Sequence, residues 1–314
     1  MNDLDLDAIG ILEETDKTSL GWDYLRHYEQ EFARFRHQDI NLIEIGVFRG
    51  ASLNVWEKYF SRATIVGIDI MPDCTVYEGG RKVVAIGSQI DPDFLAGVTA
   101  KYPPTIIVDD GSHIADHVQV SFEVLFPRLL PGGCYVIEDV TAHRPDSHYR
   151  GTAALDTPDF VLRLAALVLL RRVAPDLSPA LAAAVREIDT VSLIGSAAYV
   201  WKKPPLASAA TIAAKQALVE RSKSAMNWQG LAKFIMSQRG PLEQAAAAAR
   251  RAIELRPKDW DGHNVLGLVL DRKGDLAGAL AATQAAARLR PNNAQLQTRL
   301  ANLEKRLARA TGGA

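Results

Sequence analysis

Cysteine is almost missing from this chain. Cys74 and Cys134 are the only two in 314 residues, far apart and outside any metal-ligand or redox spacing. That excludes a disulfide framework and a thiolate metal centre, and the two read as reduced, packed thiols of a cytosolic protein. An excess of either charge is also lacking: 36 lysines and arginines stand against 37 aspartates and glutamates. No overall basic field draws the chain to nucleic acid or to an acidic membrane surface. Long apolar runs are absent as well. The most apolar, FVLRLAALVLLRR from Phe160, is interrupted by Arg163 and falls short of the roughly 20 residues that cross a bilayer. The opening MNDLDLDAIGILEETDK is acidic and lacks the charged-then-apolar order of a signal peptide. The expectation is a cytoplasmic, soluble chain with no nucleic-acid and no membrane partner, of about two domains.

What is present is a regular alternation from residue 40 to residue 140. NLIEIGV, ATIVGIDI, RKVVAIGS, PTIIVDDG and GGCYVIEDV predict five strands. Their nearly continuous apolar runs are those of a parallel sheet covered on both faces. GASLNVWEKYF, DPDFLAGVTAKY and ADHVQVSFEVLFPRLL, between them, carry apolar residues at helical spacing. This predicts an α/β fold, a doubly wound Rossmann-like sheet. Each strand ends in residues that do not build cores: Glu44 and Gly46, Asp69, Ser88 and Gln89, Asp109 and Asp110, Glu138 and Asp139. Ligands of open α/β sheets bind beyond the carboxyl ends of the strands, so five polar ends outline a cleft. After a helical segment over 157–172, EIDTVSLIGSAAYVWKKP predicts two strands joined by a tight turn near Gly195 and Ser196.

PPLASAA, from Pro204, reads as a linker dividing residues 1–205 from residues 206–314. Beyond it a repeat appears. Leu255-Arg256-Pro257 and Leu289-Arg290-Pro291 are 34 residues apart, and Gly240 with Gly274, Ala245 with Ala279 and Ala252 with Ala286 keep the same register. The period, with small residues where helices cross and proline closing each unit, resembles a tetratricopeptide repeat and predicts an all-α C-terminal domain. AQLQTRLANLEKRLARA is amphipathic and reads as a capping helix. Two repeats are below the usual minimum for independent stability. They are expected to pack on the first domain, to support a homo-oligomer or to hold a protein partner.

EIGVFRG, Glu44 to Gly50, follows the first strand and opens a helix, where glycines allow a sharp turn and the helix N-terminus offers free N–H groups. Phe48 occupies the position of the second glycine of a dinucleotide turn, which disfavours NAD. Asp69, 25 residues after Glu44, is placed to accept hydrogen bonds from ribose hydroxyls; the plainer reading makes it the cap of a turn. Asp110, Glu138 and Asp139 stand on neighbouring strand ends. Three crowded carboxylates repel unless a cation joins them, and an all-oxygen set suits Mg²⁺. His113, three residues past Asp110, titrates near neutrality and suits a general base, or it caps the next helix. Asp109 supports the loop or the cofactor, and His117, one turn further on, faces solvent or braces the loop.

ETDKTS, EIGVFRGASLNVWEKYF, IVGIDI, VDDGSHIADHV, LFPRLLPGGCYVIEDV and the late hairpin, over residues 13 to 204, resemble the metal-dependent sugar O-methyltransferases of the mycinamicin and demethylmacrocin type. The resemblance implies a class I methyltransferase sheet with a terminal antiparallel hairpin, S-adenosylmethionine as methyl donor and Mg²⁺ on Asp110, Glu138 and Asp139, with His113 as base. It further implies that Thr15, the turn with Glu44, Gly46 and Gly50, Ser52, Asp69 and Asp109 serve the cofactor, with Gly87, Ser88 and Gln89 near its adenine. That family often carries an acid where Ser88 stands. The implied acceptor is a small molecule or glycan with a vicinal diol. Trp22, Tyr24 and Tyr28 either stack on a sugar face or belong to a core, and Thr141, His143, Arg144, His148 and Tyr149 shape the acceptor side. Two other readings stand beside it: methylation of a catechol-like phenol, and a tetratricopeptide adaptor with a retired enzyme domain.

Overall fold

The structure, a computed structural model, describes residues 4–142, 149, 151–171 and 174–311. The chain divides into two compact units, Met1–Pro205 and Leu206–Ala314.

The first unit is built on a sheet of β1 (Asn41–Ile45), β2 (Thr64–Asp69), β3 (Lys82–Ile86), β4 (Ile106–Asp109), β5 (Cys134–Ile137), β6 (Ile188–Ile194) and β7 (Ala197–Lys202). Their order is β3-β2-β1-β4-β5-β7-β6. β1 to β5 pair in parallel, while β7 runs antiparallel to β5 and to β6. The five parallel strands and the terminal hairpin expected from the sequence are therefore present, with Gly195 (φ 62°) in the hairpin turn. The order reverses between β1 and β4, which opens the crevice where α/β sheets bind ligands.

Helices cover both faces, and alternation along each strand feeds two cores. α1 (Leu6–Leu12), α2 (Tyr24–Phe32) and α3 (Ala51–Tyr59) pack with Leu42, Val108 and Val136. α4 (Pro92–Lys101), α5 (Ala115–Leu125), α6 (Thr157–Leu170) and α7 (Pro179–Glu187) pack with Ile43, Ile107 and Tyr135. Helix starts are written locally. Asp91 caps α4 ahead of Pro92, and Asp156 and Ser178 do the same for α6 and α7, each cap contributing about 1 kcal/mol. Cys74 and Cys134 are free and buried. Among the described residues no helix is long and apolar enough to cross a membrane.

The second unit is helical: α8 (Ala209–Glu220), α9 (Ala225–Ser237), α10 (Leu242–Leu255), α11 (Trp260–Lys273), α12 (Leu276–Leu289) and α13 (Ala294–Thr311). Helices adjacent in sequence pack on one another. Ala245, Ala252, Ala279 and Ala286, the alanines in 34-residue register, are fully buried. α11 approaches α12 so closely that a Cβ on Gly267 would lie 2.6 Å from Thr283 Oγ1. The near-zero total charge is a cancellation. The first unit holds 19 lysines and arginines against 29 aspartates and glutamates, and the second holds 17 against 8.

Two glycines of the second unit respond in opposite directions. Gly267→Val is expected to destabilise by roughly 2–3 kcal/mol through overpacking against Thr283. Gly230→Ala, in the middle of α9 with open space at its Cβ, is expected to stabilise by about 0.5–1 kcal/mol. Urea unfolding of the full chain measures both, and equal effects would refute the close approach at Gly267.

Candidate active site

The parallel register sets the strand ends level: Ile45 pairs with Ile68 and Asp109, and Asp109 with Ile137. The residues that follow crowd one edge of the sheet. Gly46 has φ 95°, and a Cβ there would meet the Asp110 carbonyl oxygen at 2.1 Å. The first turn thus closes on the fourth strand's loop only with glycine. Asp69 ties the second strand to that turn, its Oδ2 accepting from Val47 N at 2.9 Å and Phe48 N at 3.2 Å and its Oδ1 from Met71 N at 2.9 Å. Partial burial works to raise its pKa, but these N–H donors win and hold it below the usual carboxylate value.

Beside this turn lies a cavity of about 560 Å³, within the roughly 300–1,000 Å³ of small-molecule sites. Of the residues expected to serve a cofactor, Gly46, Asp69, Ser88 and Gln89 line it, as does Asp110. The other six do not line it. Glu44 is fully buried and accepts from Ser52 Oγ at 2.7 Å and Trp56 Nε1 at 3.0 Å. Gly50 (φ 71°) backs onto the Tyr77 ring, Gly87 faces the Phe94 ring, and Thr15 Oγ1 accepts from Lys17 N. Asp109 is buried on the α5 face, accepting from Tyr135 OH at 2.7 Å, Ser121 Oγ at 3.0 Å and Gln89 Nε2 at 3.3 Å. Burial pushes its pKa up to about 6 against these donors. Its partner Gln89 in turn accepts at Oε1 from Ser112 N. Met71, Cys74 and Tyr77 are lining residues that the strand-end pattern missed, and His117 lines the cavity too, its Nδ1 2.8 Å from Ser112 Oγ. One available signal was surplus apolarity: Phe48 is 78% exposed, Ile70 67% and Met71 56%.

At the cavity's edge the acidic residues converge. His113 Nε2 lies 3.5 Å from Asp139 Oδ2 and 3.8 Å from Asp110 Oδ1. One ligand atom from each of these three falls within 4.8 Å of the others. His113 (φ 58°) and Asp139 (φ 52°) both hold left-handed backbone, which costs non-glycine residues about 1–2 kcal/mol each and concentrates at functional sites. The two carboxylates offer oxygen ligands of the kind that hard divalent cations take, with the His113 ring beside them.

Glu138 sits one step deeper. Its Oε1 accepts from Tyr28 OH at 2.5 Å and its Oε2 from Lys17 Nζ at 2.6 Å. Lys17 Nζ also reaches Asp110 Oδ2 at 2.5 Å and stands 3.8 Å from Glu44 Oε1. Burial, then the Asp110 carboxylate, raises the Glu138 pKa against Lys17 and Tyr28. For Lys17 burial works downward, and the three carboxylates outweigh it and keep the ammonium charged. Tyr24 OH donates to Asp139 Oδ1 at 2.7 Å and meets Ser196 Oγ at 2.5 Å. Tyr24 and Tyr28 are thus core residues with polar ends in the site, whereas Trp22 is 63% exposed. Tyr149 packs edge-on against His113 at 5.8 Å, and Thr141 sits in the turn after β5. His143, Arg144 and His148 lie outside the described residues.

No protein-family model matches the chain. Among curated proteins it is similar to demethylmacrocin O-methyltransferase of Streptomyces fradiae, 41% identical over 136 residues, 40% of this chain and 34% of that one. It is 42% identical over 135 residues to mycinamicin VI 2''-O-methyltransferase of Micromonospora griseorubida, covering 40% of this chain and 33% of the relative. The chain spans about a third of the length of these relatives. Among solved structures it is similar to the MycE methyltransferase of the mycinamycin pathway, in complex with Mg, SAH and mycinamycin VI. That match has a TM-score of 0.56 and 31% identity over 64% of this chain and 55% of the other. The first unit has the methyltransferase form of the Rossmann-like sheet.

The deep end of the site predicts a stability effect. Tyr28→Phe leaves Glu138 Oε1 without its buried donor and is expected to cost about 1–3 kcal/mol. Urea unfolding in the presence of chelator checks this, and a loss under about 0.5 kcal/mol would show that the bond is not desolvated.

Proposed function

We propose that this chain is an enzyme that transfers the methyl group of S-adenosylmethionine to one hydroxyl of a vicinal diol, on a sugar or glycosylated metabolite, with Mg²⁺. The observation that carries this reading is His113 held 3.5–3.8 Å from the Asp110 and Asp139 carboxylates at the edge of a cavity lined by the ends of β1 and β2 and by residues that follow β3 and β4. The relatives' names support it: each is an O-methyltransferase, and one is named for a rhamnosyl tetracenomycin.

In this reading the donor lies in the cavity. The ionised Asp69 accepts from its ribose, and Phe48, Ile70 and Met71 cover apolar surface around it. Asp110 and Asp139, with Glu138 behind them, are the residues that would hold the divalent ion. When bound, that ion lowers the pKa of a hydroxyl oxygen it touches. His113 takes the proton from the acceptor hydroxyl. The acceptor oxygen forms its bond to the methyl carbon as the carbon–sulfur bond breaks, its electron pair returning to sulfur. The products are a methyl ether and S-adenosylhomocysteine. Holding both reactants in line supplies much of the rate gain. Residues 1–205 form the methyltransferase domain of this reading and residues 206–314 a tetratricopeptide-like domain, a seat for a second copy or a protein partner. Two reduced thiols and the biosynthetic relatives fit a cytoplasmic enzyme.

His113→Ala is expected to lower kcat/KM with a vicinal-diol glycoside about 10²–10⁴-fold, and EDTA to abolish transfer until Mg²⁺ is restored. A mild effect of His113→Ala, with a catechol as the better acceptor, would transfer the reading to phenols. Failure to bind S-adenosylhomocysteine in calorimetry would reject the enzyme reading in favour of the adaptor.

A further inference from the structure

We infer that Lys17 is the resident cation of the acidic site: its ammonium holds Asp110 and Glu138 in the metal-free chain and works against the divalent ion, keeping metal binding exchangeable. The inference rests on the metal-dependent reading of the same site.

The geometry gives the two oxygens of one carboxylate to different neighbours. Asp110 turns Oδ2 to Lys17 at 2.5 Å, while its Oδ1 faces His113 and the group that includes Asp139. Two of the ammonium's three donors are spent on Asp110 and Glu138. Lys17 is 3% exposed, so water screens it little and its charge acts at nearly full strength on a second cation across the same carboxylate. Its backbone is tied down on both sides. Lys17 O accepts from Leu25 N at 3.0 Å, and Thr18 O accepts from Gly21 N at 2.9 Å and Asp23 N at 2.8 Å. The side chain also lies beside the Tyr24 ring, Nζ 5.8 Å from its centroid. Withdrawing the ammonium means displacing this loop, so the opposing charge stays when the divalent ion arrives. Lys17 is a positioning residue: it aims Asp110 and lowers the net negative charge that the ion meets.

The test compares wild type with Lys17→Met, of similar length but uncharged, and Lys17→Gln, which keeps a donor. Full chains are stripped with EDTA, titrated with Mn²⁺ by calorimetry and melted with and without Mn²⁺. Lys17→Met is expected to bind Mn²⁺ at least about tenfold more tightly than wild type. Stripped, it melts lower than stripped wild type, and Mn²⁺ raises its melting temperature by more. A purely structural lysine would lower the melting temperature without tightening Mn²⁺. If Lys17→Met does not fold without metal, Lys17→Gln carries the same comparison. Should wild type bind Mn²⁺ and both folded variants bind it no more tightly, this inference alone is overturned. If no protein responds to Mn²⁺, the metal-dependent reading falls and takes the inference with it. Binding of S-adenosylhomocysteine to wild type reports on the methyl-transfer reading separately.

Discussion

Three carboxylates gathered around one buried ammonium set the terms for the rest of the first unit. Glu44, Asp110 and Glu138 come from neighbouring parallel strands whose ends are level, and nothing in the sheet itself offsets their repulsion. The offset comes from Lys17, in the segment ahead of the sheet, so that segment must pack where the ammonium can reach. α2 does this packing. Tyr28 is buried among Phe32, Trp56 and Tyr199, with ring centroids 5.3–5.7 Å away, and its hydroxyl meets Glu138. Hydrophobic burial of the helix and satisfaction of the carboxylate are thus one arrangement, and residues 15–28 belong to the site as much as the strand ends do.

The fold was legible because its constraints are periodic. A parallel sheet covered on both faces needs continuous apolar strands, helical spacing between them and polar groups only where strands stop, and each condition shows in the letters. The convergence of Asp110, His113 and Asp139 was legible for the same reason, since strand order and strand ends fix it. Asp109 and Asp110 show where that logic stops. A strand-end reading gives both to the cleft, yet successive side chains of a strand point to opposite faces. Asp109 turns to Tyr135 on the α5 face, and Asp110, beyond the last pairing, enters the cleft. Glu44 and Ser52, expected at the cofactor, instead bond each other outside the cavity lining. Lys17 left no periodic trace: a lysine in a polar stretch reads as solvated until its carboxylates are located. The apolar stripe of α7 is diluted by alanines, which carry little hydrophobic signal.

Alanine has a different consequence in the second unit. Ala245, Ala246, Ala248, Ala249 and Ala252 are all buried along α10, so neighbouring helices approach over small side chains and each contact removes little apolar area from water. Cohesion there depends on closeness of fit, which is why a single methyl at Gly267 matters and why the 34-residue register of small residues shows through the sequence.

The opposite charges of the two units change what an isoelectric point near 6.7 means. It describes no surface the molecule presents. At neutral pH the first unit is a polyanion and the second a polycation, so anion and cation exchangers alike will retain the chain. Each unit's field reaches a charged solute or surface on its own terms, and added salt shortens that reach to a Debye length of about 8 Å at physiological ionic strength.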